Sequence, residues 1–280
     1  MQSIYPYRYK EELKSSSLYR EEYRRVQTIH MILPHTTNKQ KEILLLLYKF
    51  RFLNRIQIQT LLNHKHHKTI NLWLKDLTEK DYVKRIYEKT FHGMTIPAKY
   101  YISLQGIRFL KTQEDCNKKY LKKLYQENRR SKEFISTCLL IADIYFSLQE
   151  KSKEDSTEFQ FFTPSGYTEN SIAQELAASF AYIITSKKTK HIYMCELFRE
   201  NMPRYAIRGK IKRYIEFHQN EELHGTLIFI CPNNITSRFV KRFTRHFIDE
   251  EGGGENVTIY VTSYEEMKKG NIGEEVELDD

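Results

Sequence analysis

Between residues 64 and 99 the sequence concentrates side chains that can bond phosphates and the edges of bases. Lys65, His66, His67, Lys68, Thr69, Asn71 and Lys75 follow one another at the start of an apolar-periodic stretch. Lys84, Arg85, Lys89, His92 and Lys99 lie in an alternating stretch just after it. Lys and His supply donors to phosphate oxygens, Asn matches the donor–acceptor edge of adenine, and Lys suits guanine or phosphate. The shared chemistry is recognition of duplex DNA, the first set aimed at bases and the second tracking the backbone or entering the minor groove. The same residue types also make an ordinary solvated surface, so the elements that carry them have to decide.

His64-Lys65-His66-His67 suggests two other chemistries: closely spaced histidines can hold a transition metal or form the His-hydrophobic-His motif of nicking enzymes. Here a Lys separates His64 from His66, the cluster falls at a helix start, and no carboxylate lies beside it. These residues are read as solvent-facing groups near DNA phosphates, and neither a metal nor a cofactor is expected.

The elements that must hold them follow from periodicity. Ile43, Leu44, Leu47, Tyr48 and Phe50 recur at helical spacing, a short helix spans 55–62, and a third spans 66–80 with Ile70, Trp73, Leu74 and Leu77 on one face. The period then changes to alternation at 82–87 and 98–102, with a turn at Phe91-His92-Gly93-Met94. Three helices followed by a basic hairpin describe a winged helix-turn-helix at 39–112, with the 66–80 helix in the major groove. Ser103 caps a further helix at 104–111 that packs back on it.

An N-terminal helical extension is expected at 1–38 and a helical linker at 113–150, where residues 117–150 form one kinked helix or two successive ones. Its apolar Phe134–Tyr145 part serves either as a dimer interface or as core within its own chain. Strand and helix signals alternate across 151–270, reading as a small α/β domain, and 271–280 reads as an acidic, disordered tail. The fold class is therefore α+β overall.

Charge divides the chain in the same way. Residues 1–140 hold 28 Lys and Arg against 13 Asp and Glu, whereas the remainder holds 17 against 23. A basic half of that size suits a polyanion, which the acidic half would repel. The 280 residues exceed one typical domain, and 36 Tyr and Phe together argue for packed cores. The four cysteines show no C-x-x-C spacing, so neither a disulfide framework nor a zinc site is read. With no membrane-length apolar run and no secretory signal, the cytoplasm is the expected location.

Residues 41–110, with I-L-L-L-L-Y-K-F-R-F-L, R-I-Q-I-Q-T-L-L, W-L-K-D-L and K-Y-Y-I-S-L-Q-G-I-R-F-L, resemble the replication-relaxation family of plasmid and mobile-element proteins. The similarity continues into 132–148 and 191–217. The resemblance implies an accessory DNA-binding protein in plasmid replication, relaxation or mobilisation, with double-stranded DNA, a second copy of the chain and a replication or relaxosome protein as partners. It also implies that the second domain resembles a degenerate restriction-endonuclease-like fold. Residues 192–199 match its second strand, with Glu196, and Lys210, Lys212, Arg213 and Tyr214 match the helix after it. The expected Pro-Asp is replaced by Glu175-Leu176-Ala177-Ala178, and Phe198 stands two positions after Glu196. A metal-dependent nuclease would have to recruit Glu196 with Glu175 or Glu200. A lone strand-end Glu reads as structural, so no catalytic residue is expected and the protein is read as non-enzymatic. The alternatives are a winged-helix transcriptional regulator with a C-terminal sensor or oligomerisation domain, and a DNA-cleaving enzyme. A promoter operator as the target would favour the regulator, and an origin of replication or transfer the accessory role. A further alternative, a protein-binding module whose basic half serves RNA or a chromatin-like surface, lacks the aromatic-glycine signatures of single-strand readers.

Overall fold

Two glutamines start the first helices among the described residues. α1 (Asn38–Phe50) begins where Gln40 N donates to Thr37 Oγ1 at 3.3 Å and Thr37 N donates to Gln40 Oε1 at 2.9 Å. α2 (Arg55–Leu61) repeats the device with Asn54 and Gln57, at 2.9 and 3.1 Å. Each reciprocal pair satisfies two backbone donors that a helix start leaves open. Arg51, at φ 70°, ends α1 and turns the chain into β1 (Leu53–Asn54), a two-residue strand too short to show a period in the sequence.

This computed structural model describes residues 33–87, 96–167, 171–187, 189–220, 225–251 and 258–276. The chain separates into units Met1–Thr36 and Thr37–Asp280. The N-terminal extension falls almost wholly outside the described residues, as do the hairpin turn and, within it, Lys89 and His92.

α3 (His67–Glu79) buries Ile70, Leu74 and Leu77. β2 (Val83–Ile86) and β3 (Lys99–Ile102) pair antiparallel, and β1 adds to the free side of β3, giving the order β1-β3-β2. α4 (Leu104–Leu110) is capped by Ser103 Oγ, which accepts from Gln105 N and Gly106 N. A side chain at Gly106 would collide with the Tyr82 carbonyl, so glycine there lets α4 lie directly on the hairpin.

The 117–150 stretch resolves into two helices, α5 (Lys118–Lys123) and α6 (Lys132–Glu154), separated by a 3-10 segment (Leu124–Arg129). Within that segment Glu127 is buried and paired with Arg51, and the guanidinium carbons of Arg51 and Arg130 lie 4.4 and 4.9 Å from the Phe134 ring centroid. The expected boundary after residue 150 falls inside α6. No break in packing lies there: one apolar cluster runs from Ile43, Leu47 and Leu74 through Leu140, Ile144 and Leu148 of α6 to Phe161, Phe180 and Ile228. The apolar residues of α6 are thus core of their own chain.

The larger sheet pairs its strands in chain order. β4 (Glu158–Phe162), β5 (Phe180–Ser186) and β6 (Thr189–Leu197) form an antiparallel meander. β6, β7 (Thr226–Cys231) and β8 (Thr258–Ser263) are parallel, which requires the crossover helices α8 (Arg204–Asn220) and α9 (Asn234–Glu251). A one-turn helix, α7 (Ile172–Glu175), precedes β5, and α10 (Tyr264–Lys268) follows β8. Successive residues of β7 face opposite ways: Ile228 and Ile230 join the cluster around α6, while Leu227, Phe229 and Cys231 pack with Ile211, Tyr214, Val240 and Phe247 under α8 and α9. All four cysteines are free and buried, which raises the thiol pKa of each.

The acidic end departs from the expected disorder. Glu274–Glu275 form β9, antiparallel to β8; Val276 is buried and Glu274 pairs with Lys241, while 277–280 lie outside the described residues. Pairing to β8, burial of Val276 and the Lys241 cation together dock a segment that its charge run marks as solvated. Among the described residues no helix is long and apolar enough to cross a membrane.

Candidate nucleic-acid interface

The stretch that precedes α3 is fixed by local bonds. Gln59 Nε2 donates to the carbonyls of His64 and Lys65, at 3.1 and 3.4 Å, and His66 N donates to His64 Nδ1 at 3.2 Å. The His64 ring also packs edge-on against Trp73 at 5.1 Å. His64 therefore shapes the turn, while Lys65, His66 and His67 are exposed. Among the described residues no three His, Cys, Asp or Glu side chains converge as metal ligands do.

α3 starts without a side-chain cap, so its first N–H groups and the positive end of its dipole stand open beside those three residues. Burial of Ile70, Leu74 and Leu77 fixes the rotation of the helix and turns Lys68, Asn71 and Lys75 outward, with Thr69 half-buried. Its position is held by Asp76, which accepts from Gln40 Nε2 at 2.5 Å and pairs with Lys80 at 2.6 Å. The bond from the Lys80 amine keeps the Asp76 carboxyl below its usual range; burial opposes it less strongly, and the Gln40 bond adds a still smaller lowering. Lys75 and Glu79 are 3.7 Å apart on the open face, a pairing worth little in water.

Leu72, 66% exposed between Asn71 and Lys75, was not expected from composition. Its signal was its position two residues after Ile70, which sets it off the buried stripe. An apolar side chain there suits contact with a thymine methyl. In β2, Lys84 and Arg85 are both exposed; Lys84 pairs with Asp81 at 2.5 Å, and Arg85 stacks on Tyr87 at 4.7 Å. Lys99 is half-buried.

In the second sheet, Glu196 is 1% exposed on β6. Lys210 of α8 pairs with its Oε1, while Ser179 Oγ and Tyr214 Oη each donate to Oε2 at 3.2 Å. Burial first, and then the adjacent Glu196 charge, push the Tyr214 hydroxyl well above its usual range. Ser179, immediately before β5, also accepts from Leu197 N at 3.0 Å, locking the two strand ends together. Glu175 ends α7 and Glu200 follows β6, both exposed, and Phe198 is fully buried. The structure thus surrounds the Glu196 carboxylate with a cation and two hydroxyls. Lys210 and Tyr214 fall in the stretch matched to the helix after the strand, whereas Ser179 carried no signal of its own.

A family model described as replication-relaxation matches residues 44–226, from α1 to the start of β7. No curated protein matches the chain. Among solved structures it is similar to restriction endonuclease FokI, at 13% identity and a TM-score of 0.31, covering 85% of this chain and 45% of that one. It is likewise similar to FokI bound to DNA, at 14% identity and a TM-score of 0.27, covering 85% and 46%. The chain spans less than half the length of either.

Proposed function

The chain belongs to the replication-relaxation family, and from that premise we propose that it is a double-stranded-DNA-binding accessory protein of plasmid or mobile-element replication, relaxation or mobilisation. In this proposal α1 to α3 with β1 to β3 act as a winged helix-turn-helix, α3 lies in the major groove, and β2 with β3 is the wing. The observation that carries it is the division of α3 between fully buried Ile70 and Leu77 and an outward face of Lys68, Asn71, Leu72 and Lys75 beside an uncapped helix start. Lys65, His66, His67, Lys68 and Lys75 would meet phosphates, Asn71 and Leu72 base edges, and Lys84, Arg85 and Lys99 the flanking backbone.

No catalytic step belongs to the proposal. Both Glu196 oxygens are committed to Lys210, Ser179 and Tyr214, which supports a structural role that joins α8 to β5 and β6. Two copies reading neighbouring half-sites, and contact with a replication or relaxosome protein, remain part of the proposal. The apolar residues of α6 are occupied within the chain, so such contacts would use other surfaces.

The test is binding of the full chain to labelled duplex DNA across a salt series, with Lys68→Ala/Lys75→Ala beside it. Loss of two phosphate contacts should lower the slope of log affinity against log salt by roughly 2 and weaken binding to every duplex. Unchanged affinity and slope in the double variant would remove α3 from the interface. A preferred site at an origin of replication or transfer supports the accessory role, and one at a promoter operator would replace it with regulation.

A further inference from the structure

Summed charge makes the second half of the chain acidic, yet residues 203–215 and 232–248 contain no Asp or Glu while holding Arg204, Arg208, Lys210, Lys212, Arg213, Arg238, Lys241, Arg242 and Arg245. These two stretches begin the parallel helices α8 and α9, which pack side by side over one face of the larger sheet. Some of the cations are used internally: Lys210 holds Glu196, Lys241 holds Glu274, and Lys212 lies 3.4 Å from Glu216.

Arg204 and Arg208 are placed differently. Phe239, Phe243 and Phe247 of α9 form a column with centroid spacings of 6.3 and 6.2 Å and nearly parallel rings. Along it lie the Arg204 guanidinium, 5.2 Å from Phe239, the Arg208 guanidinium, 5.6 Å from Phe239 and 5.3 Å from Phe243, and the Lys212 amine, 5.5 Å from Phe247. Four-residue steps in both helices keep cations and rings in register, with cations about 6 Å apart along the helix. Stacking on a ring face leaves the in-plane N–H groups of a guanidinium directed outward and fixes its side chain, so fewer conformations are lost when those groups bond an anion. Both arginines are exposed, as are Arg238 and Arg242, which immediately precede the first two rings of the column.

We propose that the α8–α9 face is a second nucleic-acid surface, on which Arg204, Arg208, Arg238 and Arg242 bond the phosphodiester backbone. Evenly spaced, pre-positioned cations on two stretches that contain no Asp or Glu of their own fit a partner whose anions repeat along a strand. Tyr205, 78% exposed beside Arg204, is placed to stack on an unpaired base. The surface is separate from α3 and stands whether or not α3 reads DNA.

The experiment measures binding of the full chain to a labelled duplex and to one of its single strands across a salt series, for the wild type, Arg204→Ala/Arg208→Ala, Arg204→Lys/Arg208→Lys and Lys68→Ala/Lys75→Ala. The alanine pair on α8 should lower the salt slope by roughly 2 and weaken binding about ten-fold at about 0.1 M salt, with the lysine pair recovering the slope. A loss confined to the single strand, shared by Tyr205→Ala, assigns the face to unpaired DNA; a loss on the duplex assigns it to double-stranded backbone. Wild-type affinity and slope in the α8 alanine pair on both probes would overturn the proposal. If only Lys68→Ala/Lys75→Ala is without effect, α3 is not the reader and the α8–α9 surface stands.

Discussion

Gln57 Nε2 donates to Asp143 Oδ1 at 2.6 Å, tying the start of α2 to the middle of α6, and a second bond from the same nitrogen to the Leu139 carbonyl at 2.9 Å reinforces it. The Oε1 of that side chain already serves the α2 cap. One buried glutamine thus starts a helix and docks it.

Gln57→Ala removes the reciprocal half of the cap and both bonds to α6, and leaves the Asp143 carboxylate short of a donor. Destabilisation of about 3 kcal/mol is expected from a cap and buried hydrogen bonds together. Urea unfolding of the full chain measures it. A loss under about 1 kcal/mol, the scale of one ordinary hydrogen bond, would show that the bonds to α6 contribute nothing.

Asp76 links stability to acid. Its carboxyl titrates below the ordinary range because Lys80 and Gln40 bond it, so the folded state binds its proton less readily than the unfolded chain. The resulting stabilisation is complete above the unfolded value of about 4 and is lost as pH falls through the lower folded value. Asp76→Asn should flatten the fall in stability between about pH 5 and about pH 3. The effect is small, since Asp76 is 39% exposed, and unfolding midpoints at the two ends of that range, compared between wild type and variant, report it.

Asn71→Ala is expected to change which duplexes are preferred while leaving the salt slope as it was. In the proposed interface the amide would meet base edges, whereas the slope counts phosphates. Selection from a randomised duplex pool by wild type and variant measures the difference. An unchanged preferred sequence would place Asn71 away from the bases.

Glu196→Gln should weaken the fold and leave plasmid DNA alone. Lys210 loses its counter-ion but is 33% exposed and can rehydrate, so a cost of about 1–3 kcal/mol is expected, below that of breaking a fully buried pair. Supercoiled plasmid incubated with Mg²⁺ or Mn²⁺ should stay intact with wild type and variant alike. Nicking by the wild type that the variant lacks would make Glu196 catalytic.

How far the sequence disclosed this arrangement depended on the kind of signal. Ile70, Leu74 and Leu77 repeat at helical spacing, so the buried stripe of α3, and with it the outward course of Lys68 and Asn71, could be read directly. β1 could not, because two residues have no period and Leu53 becomes a strand only by pairing with Tyr100. Long-range partners were equally silent: Gln57 and Asp143 are ordinary polar residues until α6 comes alongside α2. Half-chain charge misled about α8 and α9, since the acids that balance their arginines lie elsewhere. Lys241 and Val276 hold an acidic end that charge alone would leave in solvent.

The position of α6 limits how this protein can be recombined. Leu140, Ile144 and Leu148 belong to the same apolar cluster as Leu47 and Leu74 on one side and Phe161 and Phe180 on the other. A crossover placed before α6 would deprive the N-terminal helices of the helix that Gln57 grips, and one placed after it would strip the sheet of its cover. The part that holds α1 to α4 is therefore not a cassette that could be exchanged at residue 112 or 150. An exchange that preserves both parts has to carry α6 and its two contact faces together.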